Sequence, residues 1–418
     1  MDNQEKVVVL GLNLNDEPFF EESLEELKDL CKANNYIVVD QLIQNVKKIN
    51  VGTFIGEGKT TELKNLCAEL GVTKIVVNDD LTPTQGRNLN KITDCAIIDR
   101  TALILEIFAT RAKTKEAKLQ VEIATLKYQL PRLVLSDANL AQQVGGVGSR
   151  SRGVGEKQIQ LDKRIINKKI DELKKELEQI VVERENRRKK RIKSEMPSVA
   201  IVGYTNAGKS TLMNLLVEKF GQKGAKTVFE KDMLFATLDT SVRKVTLEDN
   251  KKFVVSDTVG FVSKLPTDLV KAFRSTLEEA IGADLLLHVI DLSHPNSNNQ
   301  IQVTESTLVS LGIDLNSVVK VFNKIDKTNL PINNNNNQVY ISAKKGTGLK
   351  ELLIIIKDRL FKDYKTVKML IPYNQARVVD DLKNNANLIN IVESETGFKV
   401  KVELGVALAE KYQHLIVK

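Results

Sequence analysis

The sequence predicts an α/β protein in four parts. These are an N-terminal α/β domain with a parallel sheet (1–104), a long antiparallel helical hairpin (105–195), a second α/β domain with a parallel or mixed sheet (196–365), and a small C-terminal α/β domain (366–418). Three observations carry that prediction. Short β-rich runs alternate with helical segments at both ends of the chain, the pattern of βαβ units. Between them lie two long, charged stretches with apolar residues at heptad spacing, the pattern of paired helices. A glycine-containing turn then joins a strand to a helix at the head of the second α/β region.

In chain order, the strand candidates of the first region are VVVLGL (7–12), YIVVD (36–40), GTFIG (52–56), KIVVN (74–78) and CAIID (95–99), with helices expected over 20–34, 57–70 and 83–93. The first strand runs into GLNLNDE, which lacks a glycine-rich phosphate fingerprint, so a Rossmann-type nucleotide site is not expected there. Ala112, Leu119, Ile123, Leu126 and Leu130 form one heptad seam, and Ile159, Ile166, Ile170, Leu173, Leu177 and Ile180 a second. The segment joining them, GGVGSRSRGVG (145–155), has five glycines with Arg150 and Arg152, which predicts a flexible basic loop. In the tail, KMLIPYN, NLINIVESE and FKVKVEL read as strands and 375–385 as a helix; Asn333–Asn337 reads as a solvated loop.

Composition removes several classes. Of 418 residues, 42% are hydrophobic and 28% charged, too apolar for a disordered chain. The longest apolar runs, such as Leu285–Ile290 and Leu352–Ile356, fall far short of the about 20 residues a membrane span needs, and MDNQEKVVVLGLN does not have a signal-peptide layout. Cys31, Cys67 and Cys95 are isolated thiols, pointing to a reduced cytoplasm without disulfides or a zinc site. His288, His294 and His414 are too scattered for a metal cluster, and His288 sits inside the strand-like ADLLLHVID. The net charge of +8 is unevenly spread: residues 111–193 hold 22 Lys and Arg against 11 Asp and Glu, so the hairpin carries +11 and the remainder −3. Lys and Arg along such helices can contact nucleic-acid phosphates, although a solvated coiled-coil face has the same composition.

The chemistry is in the second α/β region. In PSVAIVGYTNAGKSTLMNLL, residues Gly203, Tyr204, Thr205, Asn206, Ala207, Gly208, Lys209 and Ser210 spell G-x-x-x-x-G-K-S, followed by Thr211. Such a loop turns backbone N–H groups toward phosphate oxygens, Lys209 reaches the β- and γ-phosphates, and Ser210 ligates Mg²⁺. VVSDTVGF (254–261) ends a strand in Asp257, which orients the metal shell through water, followed by Thr258, Val259 and Gly260, whose N–H meets the γ-phosphate. VVKVFNKID (318–326) supplies Asn323, Lys324 and Asp326; the Asp326 carboxylate accepts from the N1–H and exocyclic amine of guanine, a donor pair adenine does not have. VYISAKKG (339–346) places Ser342, Ala343 and Lys344 to brace the base. Four such motifs in this order define a Ras-like P-loop GTPase domain. Between the phosphate loop and Asp257, Thr237 is the candidate Mg²⁺ ligand, flanked by Phe235 and Ala236, with Thr240 as the alternative. Phe261 occupies the place of a water-orienting glutamine, so the catalytic group is unassigned, and slow hydrolysis accelerated by a partner is expected. Asn206 resembles the asparagine of potassium-stimulated GTPases, in which K⁺ adds positive charge; a loop-stabilising amide is the other reading.

Beyond these motifs the chain resembles the HflX family of GTPases over roughly residues 1–365. RAKTKEAKLQVEIATLKYQLPRL (111–133) is similar to the family's first hairpin helix, and GGVGSRSRGVGEKQIQLDKRII (145–166) to its glycine-rich signature. LFATLDTSVR and DTVGFVSKLPTDLVKAFRSTLEE are similar to its switch regions. Two departures stand out: Thr240 replaces a proline common in the first switch, and GVGEKQIQLD replaces GPGETQLETD. The resemblance implies a cytoplasmic monomer that binds GTP and GDP with Mg²⁺, binds the large ribosomal subunit and its rRNA, and splits stalled or idle ribosomes with ribosome-stimulated hydrolysis. It further implies that Gly145, Gly146, Gly148, Arg150, Arg152, Gly153 and Gly155 make the ribosomal contact.

Overall fold

The computed structural model describes residues 4–15, 17–143, 151–193, 196–221, 234–235, 241–258, 260–264, 281–328 and 331–417; over 134–143, 151–159 and 184–193 it describes the helical backbone alone. The chain divides into two units. The first is Met1–Glu183 with Lys231–Asp239 and Val262–Ser275; the second is Arg184–Glu230 with Thr240–Phe261 and Thr276–Lys418.

In the first unit, β1 (Glu5–Leu14), β2 (Tyr36–Val46), β3 (Lys74–Val77) and β4 (Ala96–Ile98) form a wholly parallel sheet in the order β2-β1-β3-β4. Val7–Leu10 are fully buried in succession, as in a central strand covered on both faces. Helices α1 (Phe20–Ala33), α2 (Glu57–Leu70), α3 (Pro83–Thr93) and α4 (Arg100–Arg111) supply the cover. Leu24, Leu27 and Leu30 recur at helical spacing on α1 and are all fully buried, each contributing roughly 1.5–3 kcal/mol of burial. The strand expected at GTFIG (52–56) is a turn. The Asn50 carboxamide accepts the Gly52 and Thr53 N–H groups at 2.8 and 3.1 Å, and Phe54 takes φ 68°, which ends extension.

Helix α4 runs across residue 104, and the chain leaves helical geometry at Ala112–Thr114 before α5 (Lys115–Gln143) begins. Ala112 is therefore the C-cap of α4 (φ −63°, ψ 111°) and not part of the hairpin seam. Helix α6 (Ser151–Lys193) pairs antiparallel with α5: advancing from Lys115 to Glu122 moves the ion-pair partner back from Glu176 to Lys169. Leu119, Ile123 and Ile170 are buried in the seam. At about 1.5 Å per residue, the 43 residues of α6 extend roughly 65 Å. Because α6 starts at Ser151, residues Arg152, Gly153 and Gly155 are helical and do not belong to the flexible loop expected there. Once a long helix is nucleated, each further residue adds a hydrogen bond, which offsets the glycine cost. Gly145, Gly146, Gly148 and Arg150 lie outside the described residues.

Two buried charges tie this unit together. Asp99 caps α4 through the Ala102 N–H (2.9 Å) and receives Tyr128 Oη and Arg132 Nη2, both at 2.7 Å, which anchors α5 to the end of β4. Arg100, 1% exposed, donates to Asn78 (3.0 Å) and the Ser23 carbonyl, pairs with Glu26, and reaches the Ser263 hydroxyl at 3.0 Å.

In the second unit, β5 (Ser198–Gly203), β6 (Ser241–Thr246), β7 (Lys252–Asp257), β8 (Leu285–Asp291), β9 (Val318–Asn323) and β10 (Gln338–Tyr340) form a sheet ordered β10-β9-β8-β5-β7-β6. Only β6 is antiparallel. Helices α7 (Lys209–Phe220) and α9 (Leu349–Leu360) pack Leu212, Leu216, Leu352 and Ile356 against Val199, Ile201 and Val255, while α8 (Ser297–Ser310) brings Leu308 to the other face. The tail is an antiparallel sheet ordered β12-β13-β11-β14, made of β11 (Lys365–Ile371), β12 (Asn387–Ser394), β13 (Gly397–Leu404) and β14 (Ile416–Val417). Helix α10 (Arg377–Asn385) covers its inner face through Val379 and Leu382. Lys251 and Lys252 join the tail to the β6–β7 hairpin by contacts to Glu403 (2.9 Å) and Asn385 (3.0 Å).

Among the described residues no helix is long and apolar enough to cross a membrane, and no group of three His, Cys, Asp or Glu could hold a metal ion. The three cysteines are unbridged and buried; burial pushes the Cys31 and Cys67 thiols up to about 12, so they behave as small apolar side chains. His288 lies in β8, 1% exposed. Burial, with Lys320 and Lys209 nearby, pushes its imidazole down to about 3 and keeps it neutral.

Candidate nucleotide-binding site

The site forms at the carboxyl ends of β5, β7 and β9. After β5 the chain goes out to the edge strand β6, returns through β7 beside β5, then crosses to β8 on the other side, so β5 is the point at which strand order reverses. Open α/β sheets bind ligands at such a point, because the loops there diverge and leave a crevice.

The phosphate loop runs from Gly203 into α7, whose N-cap is Gly208. Steric demand explains both glycines. Gly203 has φ 149°, and a Cβ there would lie 2.2 Å from the Val289 carbonyl oxygen; Gly208 has φ 91°, and a Cβ would lie 2.3 Å from Asn323 Nδ2. A side chain at Gly203 would displace the β8 backbone, and one at Gly208 would push the Asn323 side chain aside. Asn206 takes φ 60° inside the turn. Tyr204, Thr205 and Ala207 are buried, and the Thr205 hydroxyl is enclosed with no partner among the described residues. The Thr205 N–H instead donates to the Phe261 carbonyl at 2.8 Å, and Phe261 N donates to Gly203 O at 3.1 Å, which locks the loop to the segment after β7.

Lys209 is 7% exposed, and its ammonium donates to the Tyr204 carbonyl at 2.7 Å. Burial lowers it to about 8 while the Asp257 carboxylate opposes the shift, so the cation is held ready for an anionic partner. Ser210 Oγ donates to Asp257 Oδ2 at 2.7 Å. This hydroxyl–carboxylate pair at a helix N-terminus is a hard-oxygen donor set of the kind Mg²⁺ takes, and it fits a magnesium ion carried in on phosphates. Thr211 follows in the first turn of α7.

On the base side, Asn323 is a buried bracket: its Nδ2 donates to Ala207 O (2.9 Å) and its Oδ1 accepts Ala343 N–H (2.9 Å), linking the phosphate loop to the loop after β10. Ser342 Oγ donates to Asp326 Oδ1 at 2.6 Å, and this bond holds the Asp326 carboxyl below its ordinary value. Asp326 therefore stays an acceptor, as pairing with two donors requires. Lys324 takes φ 65° and is pinned by Asp291 at 2.7 Å; Lys344 is exposed. Asp291 was not singled out from sequence, although a carboxylate closing the apolar run LLLHVI was a signal that it ends a strand at this crevice.

Three side chains of these segments have other partners in the structure. The Thr258 hydroxyl is fully buried and donates to Ile201 O at 2.8 Å, so that side chain braces β5. The Phe261 ring is 3% exposed in the cluster of Tyr204, Val202 and Leu308, turned into the core. Phe235 lies in the first unit, its ring edge-to-face with Phe108 at 4.6 Å. Ala236, Thr237, Thr240 and Val259 lie outside the described residues.

A mostly parallel sheet with a glycine-bounded phosphate loop, a strand-end Asp257 and an Asp326 held as an acceptor is the arrangement of a P-loop GTPase. Residues 21–109 match the family model "GTP-binding GTPase N-terminal", residues 111–191 "GTP-binding GTPase Middle Region", and residues 198–324 "50S ribosome-binding GTPase". A GTPase HflX of Caldanaerobacter subterraneus subsp. tengcongensis is 44% identical over 400 residues, 96% of this chain and 91% of that one. The GTPase HflX of Escherichia coli K12 is 36% identical over 364 residues, 85% and 83% of the two chains. A GTP-binding protein of Sulfolobus solfataricus, solved with GDP, is 26% identical, covers 86% of this chain and 99% of its own, and superposes with a TM-score of 0.45. The chain belongs to the HflX family of GTPases, a ribosome-associated family, and hydrolyses GTP.

Proposed function

We propose that this GTPase binds the large ribosomal subunit in its GTP state and dissociates stalled or idle ribosomes into subunits. The observation that supports it most is the joining, in one chain, of a GTP site with an antiparallel hairpin carrying +11. Lysine and arginine on the hairpin contact rRNA phosphates without reading sequence. Its connecting segment, Gly145, Gly146, Gly148 and Arg150 with the start of α6 at Arg152, Gly153 and Gly155, enters the RNA.

In the GTP site, the backbone from Tyr204 to Thr211 cradles the phosphates with Lys209, and Gly260 N–H, beside Val259, meets the γ-phosphate. Ser210, Thr237 and Asp257 would hold Mg²⁺, which would neutralise phosphate charge. Asp326 reads guanine with Asn323 and Lys324, and Ser342, Ala343 and Lys344 brace it. Phe235 and Ala236 belong to the first switch with Thr237. Asn206 would contact a K⁺ ion that adds positive charge beside the phosphates. Because the Phe261 ring is in the core, the chain does not supply a water-orienting side chain at that position, and the ribosome completes the site. The protein acts in the cytoplasm as a monomer.

The test is direct. Purified large subunits should raise GTP turnover at least about tenfold, and GTP with the protein should convert 70S particles to subunits on a sucrose gradient. Turnover unaffected by subunits would remove the reading. Blocked reassociation without dissociation would assign the chain instead to a GTP-gated sequestering module.

A further inference from the structure

The tail sheet has a covered face and an open one. Strand alternation puts Met369, Ile371, Val400 and Val402 inward against α10. The opposite face is the pleat that carries Lys368, Lys399 and Lys401. Lys368 and Lys401 are cross-strand partners on β11 and β13, and Lys399 stands two residues along β13 from Lys401, about 7 Å away at strand spacing. All three lysines are exposed, and none forms an ion pair among the described residues. The carboxylate sharing their pleat on β13, Glu403, is already engaged by Lys251 and Asn387. Like charges placed directly opposite destabilise an antiparallel pair. Around the lysines the face is uncharged: Val392, opposite Lys399, is 53% exposed, Val417, opposite Lys368, is 52% exposed, and the exposed Asn390 stands opposite Lys401.

We propose that this open face, centred on Lys368, Lys399 and Lys401, is a docking surface for an RNA backbone. Three closely spaced ammonium groups unneutralised by carboxylates match a polyphosphate, which presents closely spaced charge along its length. An acidic protein patch is the less fitting partner, because protein carboxylates seldom stand so densely along a line. The absence of an aromatic side chain on the pleat argues for phosphate contact without base stacking. The proposal rests on the reading of the protein as an rRNA-binding factor and adds a second contact, separate from the hairpin.

The test uses the full chain with Lys368→Gln, Lys399→Gln and Lys401→Gln combined, and a charge-reversed version with Glu at the same sites. Neither substitutes the nucleotide site, so GTP turnover without ribosomes should be unchanged and the melting temperature equal or higher. Sedimentation with purified large subunits across a KCl series should show at least about tenfold weaker binding. The slope of log affinity against log salt should fall by about 2–3, at roughly 0.7–0.9 per lost phosphate contact. A photo-crosslinking residue at Val392 should label rRNA. Wild-type affinity and slope in the Gln variant, or crosslinks to ribosomal protein alone, would overturn the proposal. If the unaltered protein does not sediment with subunits, the ribosomal reading fails by itself. Filter binding of protein-free large-subunit rRNA then decides the lysine face: equal retention of wild type and variant rejects it, selective loss in the variant supports it.

Discussion

Two α/β sheets of this chain are built alike, yet a glycine-bounded phosphate loop follows the first strand of only the second. Both have a buried first strand, helices on their faces and a reversal of strand order beside that strand. They diverge in the residues that follow it. After β5 come Gly203 and Gly208 at positions where a Cβ would sit within 2.3 Å of a neighbour, so the backbone folds closely over the head of α7. β1 ends in Asn13 and Leu14, the Asn13 side chain accepts the Glu17 N–H at 2.9 Å, and the sequence from Leu14 to Phe19 contains no glycine. The first sheet's strand ends open instead onto a crevice of about 540 Å³ whose lining includes Glu17, Asp79, Asp80 and Lys264. Lys264 is taken up by Asp79 at 2.6 Å and Glu17 at 3.3 Å, and burial raises the Asp80 carboxyl. The charges of this crevice are largely spent on one another. The same architecture thus presents different chemistry at its strand ends according to a few residues.

Four experiments probe that difference. Arg100→Ala removes the cation paired with Glu26 and a donor to Asn78 Oδ1, and should cost the first unit about 3–5 kcal/mol, as loss of one partner of a buried pair does. Hydrogen exchange should show β1 and β3 opening earlier while β5 and β8 keep their rates; uniform acceleration would mean the two sheets do not open separately. Asp326→Asn should exchange GTP preference for XTP by on the order of 10³, since an amide presents a donor where guanine also has one. Unchanged selectivity in a nucleotide competition assay would move base recognition elsewhere. Gly208→Ala must shift the Asn323 bracket and relieve a left-handed backbone, weakening GTP by about 2–3 kcal/mol, or roughly 30- to 150-fold, in a titration. An affinity within twofold of wild type would show that the loop tolerates a Cβ.

The smallest effect concerns pH. His288 is neutral in the fold, with its pKa lowered to about 3, and ordinary near 6.5 when unfolded. Below pH 6.5 the unfolded chain binds a proton the folded one refuses, so stability falls as pH drops, by up to about 1.4 kcal/mol per unit. His288→Leu should flatten that limb, retaining about 2 kcal/mol more at pH 5 than wild type in urea melts. Parallel acid limbs would contradict the burial.

The legibility of the site follows from chemistry. Backbone turns and charge placement need particular residues at fixed spacing, so Gly203 through Ser210, Asp257 and Asn323 through Asp326 could be read in order. Residues that act by packing could not. Thr258 and Phe261 sit in a motif that suggested the nucleotide, yet a hydroxyl 2.8 Å from Ile201 O and a ring in the core show that β5 and its neighbours claimed them. GTFIG had strand composition, but the Asn50 side chain captured two of its neighbours' N–H groups, a competition not visible in apolar patterning.

By itself the sequence determined that there are two α/β regions, a basic paired helix between them, and a guanine nucleotide site in the second, because periodicity and obligatory turn residues are local properties. Only the tertiary structure decided that Asn323 brackets the phosphate loop to Ala343, that Asp291 pins Lys324, that Arg100 is a buried hub, and that three lysines share one open pleat. Each depends on segments far apart in the chain meeting at ångström distances, and strand register and packing, which set those meetings, are cooperative properties of the whole fold.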